Sequence, residues 1–279
     1  MMHILTPDQL LLAGINVLLA WSVYVVMQTG AISFAQVAFS AIGAYASGIL
    51  STRYGVPLAG AVALGILAAG VAAVLIGYPA LRARGLFLIL VTIGLVFIVR
   101  VSLENIKFLG GVQGLTGMTG VGPGHVLAAV LIVGALLFIL SRSSLQRILD
   151  AVREDERIAA ALGINATYVR MIAFVAGAAL AGLTGALYAH YIIFINPDSF
   201  DILWSVFVVF YVILGGVNNM WGPVFGAVLL TLLPELFQDV APWRPTLFGL
   251  AILIILAVRP DGVLAFRLPT ARAGRRAGI

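Results

Sequence analysis

The 279-residue chain contains no cysteine, which excludes disulfide bonds and thiolate metal sites. Its three histidines, His3, His125 and His190, lack the spacing of the common metal-binding motifs. No Ser-His-Asp arrangement and no pair of carboxylates stands out in the apolar stretches. We therefore expect no catalytic residue, no metal site and no enzymatic activity of its own.

Charged residues are scarce as well. They make up 10% of the chain, whereas soluble globular domains carry about 25%. Hydrophobic residues make up 62%, and the mean hydropathy is +1.13. In lipid only helices and closed barrels satisfy the backbone, and a barrel would need short strands of alternating polarity. The apolar runs here are continuous and about 20 residues long, which indicates helices.

The sequence therefore predicts an all-α fold, a polytopic transmembrane helical bundle of about 8–10 spans with a cytosolic coupling helix. Residues 1–262 are expected to form this transmembrane domain, and residues 263–279 a disordered, basic cytosolic tail. The opening residues show no pattern of a removable signal peptide. The expected spans are Gln9–Met27, Ala31–Leu50, Leu58–Gly77, Leu86–Leu103, His125–Leu140, Tyr168–Ile192, Leu203–Leu214, Trp221–Leu236 and Leu247–Val258.

The basic residues predict the orientation, because cytosolic loops of membrane proteins are rich in Lys and Arg. When the spans alternate, most loop arginines and those of the tail share one side, and only Arg53, Lys107 and Arg244 lie in loops opposite. The N-terminus is then external and the C-terminus cytosolic.

The stretch Ser141–Arg170 is the one long polar and charged segment, and it is too charged to cross a bilayer. Apolar residues recur in it at helical spacing, interrupted by the charge cluster Arg153–Glu156. Gly163 follows where a left-handed residue would end a helix. Elsewhere such a cluster is usually only a solvated surface, but here small residues follow in the next span and allow close helix packing. These candidate helix-packing residues are Ala178, Ala181, Gly182 and Gly185.

Three further features leave alternatives open. The glycine-rich stretch Gly110–Gly124 lacks the ending of a phosphate loop and is either a flexible external loop or a close-packed element. Arg100 and Glu104 are four residues apart, within ion-pair reach on a helix, and are either a functional charge pair in the membrane or a structural pair at the external interface. The run from Gly215 to Pro223 is either a turn between helices or a broken helix that lines a pathway.

Several stretches, in this order, resemble LivM-type permeases of branched-chain amino acid ABC importers. Ala151–His190, AVREDERIAAALGINATYVRMIAFVAGAALAGLTGALYAH, resembles their signature region. The other matching stretches are GAISFAQVAFSAIGAY (Gly30–Tyr45), LRARGLFLILVTIGLVFIVR (Leu81–Arg100), GGVQGLTGM (Gly110–Met118), GGVNNMWGPVFGA (Gly215–Ala227) and the closing Arg259–Gly262.

This resemblance implies a multi-pass permease subunit in the cytoplasmic (inner) membrane of a prokaryote. It would pair with a second, LivH-like permease, two cytosolic ATPase subunits and an external substrate-binding protein. ATP would be used by the ATPase subunits, and this chain would bind no cofactor and no nucleic acid. The coupling element would occupy about residues 142–167, with its contacts at Asp150, Arg153, Glu154, Asp155, Glu156, Arg157, Ala159, Leu162 and Gly163. Possible pathway residues are Gly30, Ser33, Gln36, Gly215, Gly216, Asn218 and Trp221.

The expected function is import of branched-chain or other hydrophobic amino acids by alternating access. Urea or short-chain amides are the alternative cargo for the same architecture. An ion-coupled secondary transporter would need carboxylates inside its spans, and the spans offer little beyond Glu104.

Overall fold

The computed structural model describes residues 7–236 except 84 and 119, together with residues 249, 250 and 253. Most of the predicted span Leu247–Val258 lies outside the described residues. Arg244, the closing element Arg259–Gly262 and the tail 263–279 also lie outside them.

Each of the eight predicted spans up to Leu236 falls on a helix. Within the described residues, six helical stretches are long and apolar enough to cross a membrane, so the chain is a multi-pass membrane protein. The helices are α1 (Pro7–Met27), α2 (Gln36–Tyr54), α3 (Leu58–Ala80), α4 (Leu86–Asn105), α5 (Pro123–Ser141), α6 (Ser144–Glu154), α7 (Glu156–Ala161), α8 (Ala166–Ile192), α9 (Ile202–Gly215) and α10 (Trp221–Leu236).

Helix α2 is largely buried, although it is less apolar than its neighbours α1, α3 and α8. Small residues let α3 and α8 approach its backbone closely. A Cβ placed on Gly65 of α3 would lie 2.8 Å from the Gly43 carbonyl oxygen, and one placed on Gly43 of α2 would overlap the carbonyl oxygen of Gly182 in α8. Because hydrocarbon gives helices no hydrophobic reason to associate, such close van der Waals packing holds a membrane bundle together. The core of the fold is therefore α1, α2, α3 and α8.

The connections between helices gather at two opposite ends, in the grouping that alternating spans require. At one end, a small cavity of about 150 Å³ is lined by residues from the α1–α2 connection, the α3–α4 connection, α7 and the start of α8. This end carries the charged segment that contains α6 and α7. We call it the coupling end.

At the opposite end, the α4–α5 and α8–α9 connections are tied together. Leu115–Thr116 (β1) pairs antiparallel with Phe194–Ile195 (β2). Residues 110–116 thus form a close-packed element, because a Cβ on Gly114 would overlap the Ile195 carbonyl oxygen. The packing is open beyond them, since a Cβ on Gly117, Gly122 or Gly124 would meet nothing within 4 Å. The predicted Arg100–Glu104 ion pair is confirmed at 3.0 Å, and Arg100 also binds Asp198 beside β2.

Helices α9 and α10 form an antiparallel hairpin with a short turn, Gly216–Met220, between them. A Cβ on Gly215 would overlap the Gly222 carbonyl, and one on Gly226 would overlap that of Tyr211. The hairpin is attached to α1 by hydrogen bonds from Trp21 Nε1 to the Met220 carbonyl and from Asn16 to Thr231, each 3.0 Å. Of the two alternatives for Gly215–Pro223, the structure has the turn between helices.

Candidate coupling site

The charged segment folds as two short helices rather than one. Ser143 begins α6, and its hydroxyl accepts a hydrogen bond from the Leu145 amide. The chain then becomes extended at Asp155, whose carboxylate accepts hydrogen bonds from the amides of Arg157 (2.7 Å) and Ile158 (3.2 Å). An aspartate in this position satisfies amides at a helix start that would otherwise lack partners. Asp155 therefore separates α6 from α7 and caps the N-terminus of α7.

Gly163 ends α7 with a positive φ of 81°. The Ile164 amide bonds to the Ala159 carbonyl and the Gly163 amide to the Ala160 carbonyl, both at 3.0 Å. This is the Schellman arrangement, in which a left-handed glycine satisfies the last carbonyls of a helix. The chain turns there and enters α8 at Asn165, whose side chain accepts from the Tyr168 amide.

The two faces of α7 differ in character. Ala159 is fully buried in a small apolar cluster with Val152 and Ala166. On the other face, Ile158 is 62% exposed and Leu162 is 73% exposed. Exposed charged residues precede Ile158 in the sequence, namely Arg153, Glu154, Asp155 and Arg157. An apolar patch rimmed by charges in a loop segment is typical of a protein–protein interface.

Replacing Asp155 with alanine is expected to loosen α7, because two amides lose their acceptor. Loss of such a cap costs about 1 kcal/mol, or about a fivefold increase in local opening. Hydrogen exchange of residues 156–161 measures this directly. Asp155→Asn is the matched control, since its amide oxygen can still accept both bonds. Equal exchange in Asp155→Ala and wild type would contradict the capping role.

Polar contacts attach this segment to the bundle. Arg170 at the start of α8 forms an ion pair with Glu156 at 3.2 Å, beside the 150 Å³ cavity. The Gln146 side chain donates to the Gln28 side chain at 2.7 Å and to Asp150 at 2.9 Å. Gln28 and Gln146 were not among the residues singled out from the sequence. The only signal was the position of Gln28, a polar residue at the end of an apolar span.

The four candidate helix-packing residues of α8 are all buried. A Cβ on Gly185 would overlap the carbonyl oxygen of Ser40 in α2, so the two backbones are in direct contact. Gly177, one turn before Ala181, makes a similar approach to α1, where a Cβ would lie 2.6 Å from the Ser22 carbonyl oxygen. Helix α8 thus contacts α1, α2 and α3 through small residues.

The pathway candidates fall into two groups, both beside the coupling-end half of α1. Gly30 faces Arg153 of α6, and Ser33 and Gln36 lie buried at the start of α2. Both polar atoms of the Gln36 side chain are buried, and neither has a hydrogen-bond partner among the described residues. The second group, Gly215, Gly216, Asn218 and Trp221, lies at the α9–α10 turn next to Trp21. The structure therefore places the candidates on the two sides of one helix.

Comparison with known proteins assigns this architecture to a family. The family model described as "Branched-chain amino acid transport system / permease component" matches residues 7–258. The high-affinity branched-chain amino acid transport system permease proteins LivM of Salmonella typhimurium and Escherichia coli are each 30% identical, over 92% of this chain and 67% of their own length. The LivH permease protein of Escherichia coli is 32% identical over 47% of this chain and 42% of its own. No solved structure matches significantly. The chain belongs to the family of branched-chain amino acid transport system permease components.

Proposed function

We propose that this chain is one permease subunit of an ATP-driven importer of branched-chain amino acids. The observation that carries the proposal is the exposed α6–α7 segment, with its apolar pair and charged rim, in a chain of this permease family. Its relatives LivM and LivH are permease proteins of the same transport system, which supports pairing with a second, LivH-like permease.

The proposed mechanism places ATP hydrolysis in two separate cytosolic ATPase subunits. They dock on the coupling element, about residues 142–167, and contact Asp150, Arg153–Arg157, Leu162 and Gly163. Ala159, expected from the sequence as a further contact, is fully buried and supports α7 from within instead. Their closure pushes this element, and the packed helices rock between outward- and inward-open states. An external binding protein delivers the substrate at the end that carries β1 and β2. The N-terminus is then external, in the inner membrane of a prokaryote.

Two features favour a permease that works by helix movement over an ion-coupled secondary transporter. Among the described residues, the carboxylate of Glu104 lies within a span, but it is paired with Arg100 close to the end of α4. Ion-coupled carriers instead place carboxylates in cavities near the middle of the membrane. The close glycine and alanine contacts of α8 pack it tightly against α1, α2 and α3, so a displacement of α8 would be passed to these helices.

Labelled leucine uptake in cells with and without this gene tests the substrate, with urea uptake measured alongside. We expect leucine uptake to fall on deletion and to return on complementation, because the high-affinity route is lost. Co-purification of ATPase subunits with the tagged chain is the second readout. Unchanged leucine uptake with reduced urea uptake would overturn the assignment of branched-chain amino acids as the substrate, while the proposed architecture would stand. Absence of bound ATPase subunits would overturn the proposal that this chain is a subunit of an ATP-driven importer.

A further inference from the structure

The α6–α7 segment touches two different core helices through two polar contacts, and these contacts identify how its movement reaches the bundle. Its apolar contacts are mostly local. Val152, Ala159 and Ala166 form a small cluster separate from the main core, and Leu149 is the residue of the segment that packs against that core. Apart from this cluster, Leu149 and the covalent links to α5 and α8, the segment is attached to the bundle by its polar contacts.

The first contact reaches α1. Gln28 follows the last residue of α1, is 4% exposed, and keeps a helical hydrogen bond from its amide to the Tyr24 carbonyl at 3.0 Å. Its side-chain oxygen accepts the 2.7 Å hydrogen bond from Gln146, whose position is fixed in turn by Asp150 at 2.9 Å. This hydrogen bond is partly buried, and breaking it would leave the Gln28 side chain, which is 4% exposed, with little access to water that could replace its partner.

The same connection contacts α6 a second time. Gly30 lies against the backbone of Arg153, and a Cβ placed on it would be 3.6 Å from the Arg153 Cα. Gln146 and Arg153 are two helical turns apart, about 10 Å along the axis. The α1–α2 connection therefore lies along the length of α6. Two contacts at separate points of α6 fix the orientation of this helix relative to α1 as well as its position.

The second contact reaches α8 through the Glu156–Arg170 ion pair. Both side chains are partly shielded, and the adjoining 150 Å³ cavity separates them from Ala31 and Leu88. Helices α1 and α8 also touch each other directly at Ser22 and Gly177. The contacts therefore connect α6 to α1, α1 to α8, and α8 back to α7.

We propose that Gln28 and Gln146 are positioning residues that pass movement of the α6–α7 segment to α1, while Glu156 and Arg170 pass it to α8. This inference rests on the proposed function. Without the Gln28–Gln146 hydrogen bond, ATPase subunits still dock on the exposed face of α7 and still hydrolyse ATP. Helix α1, however, no longer moves together with the α6–α7 segment.

The test uses the complete transporter in proteoliposomes, with ATP hydrolysis and leucine transport measured together. Gln28→Ala and Gln146→Ala should each lower the leucine transported per ATP about fivefold or more, with ATP hydrolysis nearly unchanged. The double variant should be no worse than either single one, because both changes remove the same contact. Gln113→Ala, an exposed glutamine at the opposite end, is the matched control.

For the ion pair, Glu156→Arg and Arg170→Glu should each uncouple transport, and the combined exchange should restore it. A normal transport ratio in Gln146→Ala, or additive losses in the double variant, would overturn the role of the glutamines. An exchange that restores nothing would overturn the role of the ion pair. A wild-type complex that transports no leucine would overturn the proposed function itself, which separates the two failures.

The cysteine-free chain allows a second measurement that does not depend on loss of activity. The double variant Gln28→Cys with Gln146→Cys lacks the hydrogen bond and should be uncoupled. Joining its two cysteines with a short bifunctional reagent should raise the leucine transported per ATP toward the wild-type ratio, because a transmitting contact stays closed throughout the cycle. Transport blocked by the cross-link and restored by its cleavage would show that the contact must open, and would overturn the proposal.

Discussion

Replacing Gly185 with alanine is expected to lower the melting temperature of the detergent-extracted protein by about 6–12 °C, or to prevent its accumulation. A Cβ at this position would overlap the carbonyl oxygen of Ser40, and a backbone atom cannot rotate away as a side chain can. Forcing two packed helices apart costs about 3 kcal/mol, the upper end of the usual range for overpacking. In a protein of this size each kcal/mol shifts the melting temperature by about 2–4 °C.

Gly70 provides the matched control for this substitution. It also lies inside a helix, α3, but a Cβ there would meet nothing within 4 Å. Gly70→Ala should therefore be neutral or stabilise the protein by up to about 1 kcal/mol through helix propensity. Similar melting temperatures for Gly185→Ala and wild type would mean that α2 and α8 do not pack as closely as the structure has them.

Replacing both Ile158 and Leu162 with aspartate is expected to abolish co-purification of the ATPase subunits and at least nine-tenths of leucine uptake. Both side chains are mostly exposed, so the chain itself should still fold and insert. An apolar pair at the centre of an interface is worth several kcal/mol, and two buried carboxylates would add a desolvation penalty. Membrane abundance of the variant, measured together with uptake, separates docking from folding.

The conservative exchange Ile158→Leu with Leu162→Ile serves as the control, since it keeps apolar surface at both positions. It should retain most of the ATPase subunit bound. If the aspartate variant still binds the ATPase subunits, the docking surface lies elsewhere on the coupling end, and the role proposed for α7 would have to be abandoned.

The hydrophobic runs predicted the membrane helices because the bilayer sets both their length and their composition. Span starts at Leu58, Leu86 and Trp221 coincide with helix starts in the structure. The predicted start of the second span at Ala31 was wrong, since α2 begins at Gln36. Residues between them are apolar enough to extend a hydropathy window, but Gly30 has a positive φ and the chain is not yet helical. Hydropathy detects burial in lipid and not the backbone conformation.

Tertiary contacts explain what the sequence could not predict. The β1–β2 pair has two residues on each strand, too few for any periodic signal. The division of the charged segment at Asp155 depends on one side chain that satisfies two amides, within a cluster whose charges all suggested a solvated surface. The role we assign to Gln28 needs its partner Gln146, far away in sequence, before it can be recognised.

The β1–β2 pairing also constrains the order in which the protein matures during synthesis. Thr116 leaves the ribosome well before Phe194, and α5 and α8 must both be inserted before the two strands meet. Until then Gly110 and Gly114 have no partner strand beside them, and long-range pairing closes slowly because the intervening chain must first be ordered. Pairing of β1 with β2 thus marks the point at which the central helices have all been inserted into the membrane.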